Sequence, residues 1–171
     1  MTPSVRFTLL IGVGVVLLWS VVVWLSPQLQ VTAGLRELVR FGHLAALVLG
    51  FGAALTVEWF GLLWLLGRRP LSAVTQVAQG AHLPIWLGLA GLTASGMLLS
   101  PAQPTVAGTI KLGAVLLVAL NGVYAARLQQ QLAGAGATPS RPLLVRAAMA
   151  GGVSQLGWWS AVVIGFLAAR A

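Results

Sequence analysis

Residues 35–66 read LRELVRFGHLAALVLGFGAALTVEWFGLLWLL, and this stretch decides the fold. It is apolar for most of its length, and GRRP at 67–70 stops it. A helix of about 30 residues at 1.5 Å each is roughly 45 Å long, which exceeds the ~30 Å hydrocarbon core of a bilayer. It therefore crosses with a tilt or protrudes. Four more apolar runs flank it, so the expected helices are about 6–25, 35–66, 71–99, 106–132 and 142–169. Ser26-Pro27 ends the first, and Pro142 suits the first turn of the fifth. The third starts at 71 or at 81, and Pro84 threatens to kink it. The prediction is an all-α, polytopic transmembrane bundle of five helices forming one domain over 1–171.

Composition supports this and excludes alternatives. Hydrophobic residues make up 58% of the chain and charged ones 7%, with mean hydropathy +0.95. A soluble domain carries roughly 25% charged residues because its surface must be hydrated. The 21 glycines suit close packing of membrane helices. The formal charge is +8, but the basic residues are scattered at the ends of apolar runs. That is membrane-flanking charge, and nucleic acid is not an expected partner. The chain has no cysteine, so disulfides, thiolate metal sites and iron–sulfur clusters are excluded. The run at 7–25 is too long for a signal-peptide core and lacks a clean cleavage site, so it reads as a retained helix.

Five spans put the ends of the chain on opposite sides. Arg6, Arg68, Arg69, Arg127, Arg141 and Arg146 then face Arg36, Arg40, Lys111 and Arg170. The positive-inside rule places the N-terminus in the cytoplasm. Trp24, Trp64 and the Arg68/Arg69 pair read as interface anchors.

Glu58 is the residue that most needs an explanation. It lies about eight residues inside the end of the second helix, among Trp59, Phe60, Leu62 and Leu63. Ionisable groups at such depth cost about 2.5–3.5 kcal/mol on insertion scales and usually face a bundle interior or a water cavity. In a hairpin turning near Arg68, Glu58 and His82 differ in depth by only roughly 6 Å. Asn121 and Tyr124 share a face of the fourth helix, and Gln155 lies about a dozen residues into the fifth. Glu58, His82, Asn121, Tyr124 and Gln155 thus occupy one band of depth and form the candidate ligand or proton site. The alternative is that they act as structural hydrogen bonds between helices.

His43 and His82 are the candidate metal or haem ligands; the cofactor is left unknown, with a haem held by a single histidine as one candidate. His43 shares a broad face with Glu58 but lies roughly 22 Å away along the axis. The hairpin puts the two histidines roughly 16 Å apart in depth, too far for one haem iron between them. Arg36, Glu37 and Arg40 read as an interfacial charge cluster of little energetic weight. Gly88, Gly91, Ser95 and Gly96 on the third helix, with Gly50, Gly52 and Ala54 on the second, predict close contact of the two. No hydrolase elbow, P-loop or zincin motif occurs, so an enzyme is not the expectation.

Three stretches carry a resemblance: HLAAL at 43–47 with Glu58 fifteen residues on, KLGAVLLVALNG at 111–122, and SQLGWWS at 154–160 leading to Gly165. Together they resemble a family of uncharacterised five-helix bacterial inner-membrane proteins. More loosely, the first two are similar to CopD-like copper-resistance proteins and HemJ-like membrane proteins of haem biosynthesis. The CopD-like resemblance implies copper handling, for which only His43, His82 and Glu58 would be ligands here. The functions left open are handling of protons, metal ions or a small solute around Glu58, a non-catalytic accessory or assembly subunit, and a haem-binding electron-transfer protein. Partners are the lipid bilayer and either other membrane subunits or a second copy.

Overall fold

The computed structural model describes residues 5–29, 31–99, 105–135 and 139–168. These form five helices: α1 (Val5–Leu25), α2 (Ala33–Leu65), α3 (Leu71–Leu99), α4 (Val106–Gly134) and α5 (Arg141–Ala168). A single 3₁₀ turn, Ser26–Gln28, follows α1. No strand occurs among the described residues. All five helices are long and apolar enough to cross a membrane, and the chain is a five-helix transmembrane bundle.

The boundaries follow from local chemistry. Gly67 takes a φ of 68°, the left-handed position that closes a helix cheaply only with glycine. Behind it, the Arg68 and Gly67 amides donate to Leu63 O (2.8 Å) and Trp64 O (2.9 Å), satisfying the last carbonyls of α2. Thr105 caps α4, its hydroxyl oxygen accepting from the Gly108 amide at 3.0 Å. Pro142 falls in the first turn of α5, where its missing N–H costs nothing. Pro84 does not divide α3, which runs unbroken from Leu71. The link expected after residue 132 starts later, because α4 continues to Gly134. The loop 100–104 and residues 136–138 and 169–171 lie outside the described residues. Of the Arg36–Glu37–Arg40 cluster, the structure shows an exposed Arg40–Glu37 ion pair at 2.7 Å.

The bundle is built from two hairpins. α2 against α3 is the most extensive contact, and α4 against α5 the next. α2 and α3 meet backbone to backbone. A Cβ on Gly88 would fall onto the Cα and N of Gly50 and within 2.7 Å of the Ala46 carbonyl oxygen. A Cβ on Gly91 would stand 2.8 Å from that of Ala46. Small residues allow this approach, which maximises dispersion contact where lipid removes the hydrophobic drive. Gly52 takes no part, since nothing lies within 4 Å of its Cβ position. α4 and α5 close over Gly157, where Val118 occupies the space a side chain would need.

The hairpins are joined by bulk. Trp158 of α5 is 2% exposed and stacks on Phe51 of α2, ring centres 5.6 Å apart and planes at 22°. Trp159 meets the same ring edge-on at 5.1 Å. Around them the core gathers Ala54, Leu89, Leu92, Val118 and Ala119. α1 contributes no buried residue. The Ser26 hydroxyl behind it donates to Met97 O at 3.0 Å, tying this segment to the far end of α3.

Candidate functional site

The stacking of Phe51 on Trp158 sets α2 against α5. Seven residues further along α2 is Glu58, and seven residues back along α5 is Gly151. Equal steps in opposite directions keep two antiparallel helices in register, and these two residues do meet. A Cβ on Gly151 would lie 2.8 and 2.9 Å from the two carboxylate oxygens of Glu58. Glycine is what leaves room for the carboxylate against the α5 backbone. Glu58 is half-buried, and no described residue donates it a hydrogen bond or forms an ion pair with it.

Two buried donors lie on the Gly151 face of α5, by helix geometry. Gln155 lies one turn beyond Gly151 and Trp158 a further turn on, and both Gln155 Nε2 and Trp158 Nε1 are buried without a partner. An unpaired buried N–H costs about 1–3 kcal/mol, so two together need a reason. Asn121 of α4 donates from Nδ2 to Ala150 O at 2.8 Å, fixing α5 immediately beside the glycine under Glu58. Glu58, Asn121 and Gln155 are thus brought to one stretch of α5. Tyr124 is 40% exposed and makes no hydrogen bond to that stretch.

His82 is elsewhere. It lies in α3, not in a loop before it, on a cleft with residues of α1 and α4, edge-on to Trp86 at 6.2 Å. Glu58 and His82 are similar in depth, but azimuth separates them. At 100° per residue, His82 lies about 120° from Gly88 and 180° from Gly91 around α3. Those glycines face α2, so His82 faces away from it. That signal was available in the glycine spacing.

His43 belongs to a third place, near the other end of α2. Its Nδ1 is 2.8 Å from the Ser95 hydroxyl oxygen, and that hydroxyl donates to Gly91 O. A hydroxyl has one proton, so Nδ1–H of His43 is the donor and Nε2 keeps its lone pair. Lys111 of α4 extends its Nζ over Gly165, 3.7 Å from where a Cβ would be. Sequence reasoning assigned neither Ser95 nor Lys111 to a site. Ser95 stood out only as a small residue, although its seven-residue spacing from Gly88 matches that of His43 from Gly50.

No group of three or more potential metal ligands among His, Cys, Asp and Glu occurs among the described residues. The two histidines do not share a site: Ser95, the partner of His43, is thirteen residues along α3 from His82, roughly 20 Å. No known protein family, curated protein or solved structure matches this chain.

Proposed function

We propose that this protein handles a proton, a cation or a small polar solute at Glu58, as a multi-pass protein of a bacterial inner membrane with its N-terminus in the cytoplasm. The observation that carries the reading is the Glu58 carboxylate, held against Gly151 within an apolar helix and given no partner by any described residue. A carboxylate so placed binds a proton or a cation in exchange for its lost hydration. The unpaired N–H groups of Gln155 and Trp158 supply donors to a ligand oxygen or to water along the same seam. Asn121 keeps α5 in place and so acts as a positioning residue. The excess of arginines at the ends of α2 and α4 and the starts of α1 and α5 supports the orientation.

The test is flux across vesicles carrying the purified protein, measured with internal proton- and cation-sensitive dyes. Wild type is expected to exceed empty vesicles, and Glu58→Gln to lose at least tenfold of that flux while melting like wild type. Equal flux in wild type and variant would remove Glu58 from any function. The seam would then be a set of staples between helices, as in an accessory subunit.

A further inference from the structure

A cleft of about 410 Å³ opens between α1, α3 and α4, within the roughly 300–1,000 Å³ range of small-molecule sites. Glu58, Gly151 and Gln155 are absent from its walls, so it is separate from the Glu58 seam. Its lining is graded along the helix axes. Arg127 and Gln130 stand near the end of α4, with Phe7 and Thr8 at the start of α1. Ile11, Val15, Trp86 and Val123 form the deeper part. Seven residues from Thr8 to Val15 span roughly 10 Å. The cleft therefore presents a polar end at the bundle surface and an apolar end inside it.

Charge then narrows the occupant. Arg127 Nε is buried without a hydrogen-bond partner, and a guanidinium presents its N–H donors in a planar fork. The whole chain has two acidic residues. Glu37 pairs with Arg40, and Glu58 sits over Gly151 on α5. No carboxylate side chain of this protein is left for Arg127, and an oxyanion on it would come from outside. A fork of N–H donors fits a phosphate or a carboxylate. Arg6, Arg68, Arg69, Arg141 and Arg146 belong to the same end of the bundle, and this excess of positive charge favours a head of net negative charge over a zwitterionic one.

We infer that the cleft is a binding site for one anionic phospholipid, its phosphate on Arg127 and an acyl chain along Ile11, Val15, Trp86 and Val123. The ligand lies parallel to the helices with its head at the surface, as a lipid does in the surrounding leaflet. His82 lines the cleft beside Trp86.

The test is native mass spectrometry of the full chain in detergent, offered phosphatidylglycerol, phosphatidylcholine of the same acyl chains, oleate, and glycerol phosphate. One phosphatidylglycerol per chain is expected, retained at least tenfold better than phosphatidylcholine. Arg127→Gln should lower retention at least tenfold, and Arg127→Lys should restore part of it. Ala126→Phe, which fills the cleft without changing charge, should lower it as well. Arg36→Gln, at the opposite end of the bundle, should not. Equal retention of the two phospholipids, or full retention by Arg127→Gln or Ala126→Phe, would overturn the assignment. So would displacement by glycerol phosphate at equal concentration, which marks a plain phosphate site, or by oleate, which marks a fatty-acid site. Should Arg127→Gln not fold, Arg127→Lys and Ala126→Phe decide the matter alone.

Discussion

Replacing Gly88 with alanine adds one methyl group at the closest approach of α2 and α3. Ordinary van der Waals contact begins near 3.4 Å, and the new carbon would stand 2.7 Å from Ala46 O and nearer still to the Gly50 backbone. None of these is the flexible end of a side chain, so relief requires the helices to part by about 1 Å. A gap of 0.5–1 Å forfeits a quarter to a half of each contact well, and a crossing contains on the order of twenty atom pairs at ~0.1–0.2 kcal/mol each. That loss, with the strain of overpacking, costs about 3 kcal/mol at the upper end. Alanine returns about 1 kcal/mol of helix propensity, leaving a net cost of about 2 kcal/mol. For a protein of this size that is a fall in Tm of about 4–8 °C. Gly52→Ala is the matched control: its Cβ meets nothing within 4 Å, so only the propensity gain remains and Tm should rise by about 2–4 °C. Thermal unfolding in detergent, followed by size-exclusion of the surviving fraction, reads both. If the two variants melt within about 2 °C of one another, the helices are not in backbone contact at Gly88 and the reasoning fails.

Trp158→Ala should be among the most damaging single changes, since it empties the junction of the hairpins. Large aromatic-to-alanine changes in cores cost about 3–5 kcal/mol, whereas Trp24→Ala, at a position 68% exposed, should change melting little. Comparable melting of the two would contradict the placement of Trp158. Asn121→Ala removes the bond to Ala150 O and should cost about 0.6–1.7 kcal/mol, the range for polar contacts between membrane helices. Because that bond fixes α5 beside Gly151, the variant should also weaken flux through the Glu58 seam, and unaltered flux would show that Asn121 is only structural.

Much of the fold was legible because membrane helices are written as long apolar runs with glycine, proline or arginine at their ends. GRRP after residue 66 marked the α2–α3 turn, and the Gly67 φ of 68° shows why a glycine had to be there. The glycine stripe on α3 marked its contact with α2. Pro84 was the ambiguous signal, because a proline in a helix surrounded by neighbours does not have to end it. Glu58 stood out by charge alone. Its neighbours were less visible, because apolar residues cover lipid-facing and core-facing sides alike, so periodicity does not say which face turns inward. Gly151 in particular is one glycine among 21, and only the register between Phe51–Trp158 and Glu58–Gly151 gives it meaning. His82 shows a different limit: depth puts it beside Glu58, but its angle around α3 turns it away from α2.

The division into two tight hairpins has a bearing on how the protein is made. Each hairpin consists of consecutive helices, so α2 and α3 can lock through Gly50 and Gly88 as soon as the second of them leaves the ribosome, without waiting for the rest. The same is true of α4 and α5 at Gly157. What must come last is the junction between them, because Phe51 is synthesised early and Trp158 near the end. The α3–α4 contact, with the Trp86 ring against Gly122, can form before that, but Trp158 directly follows Gly157 in the chain, so the lock between α4 and α5 and the seal onto Phe51 arrive together as the closing step of biosynthesis.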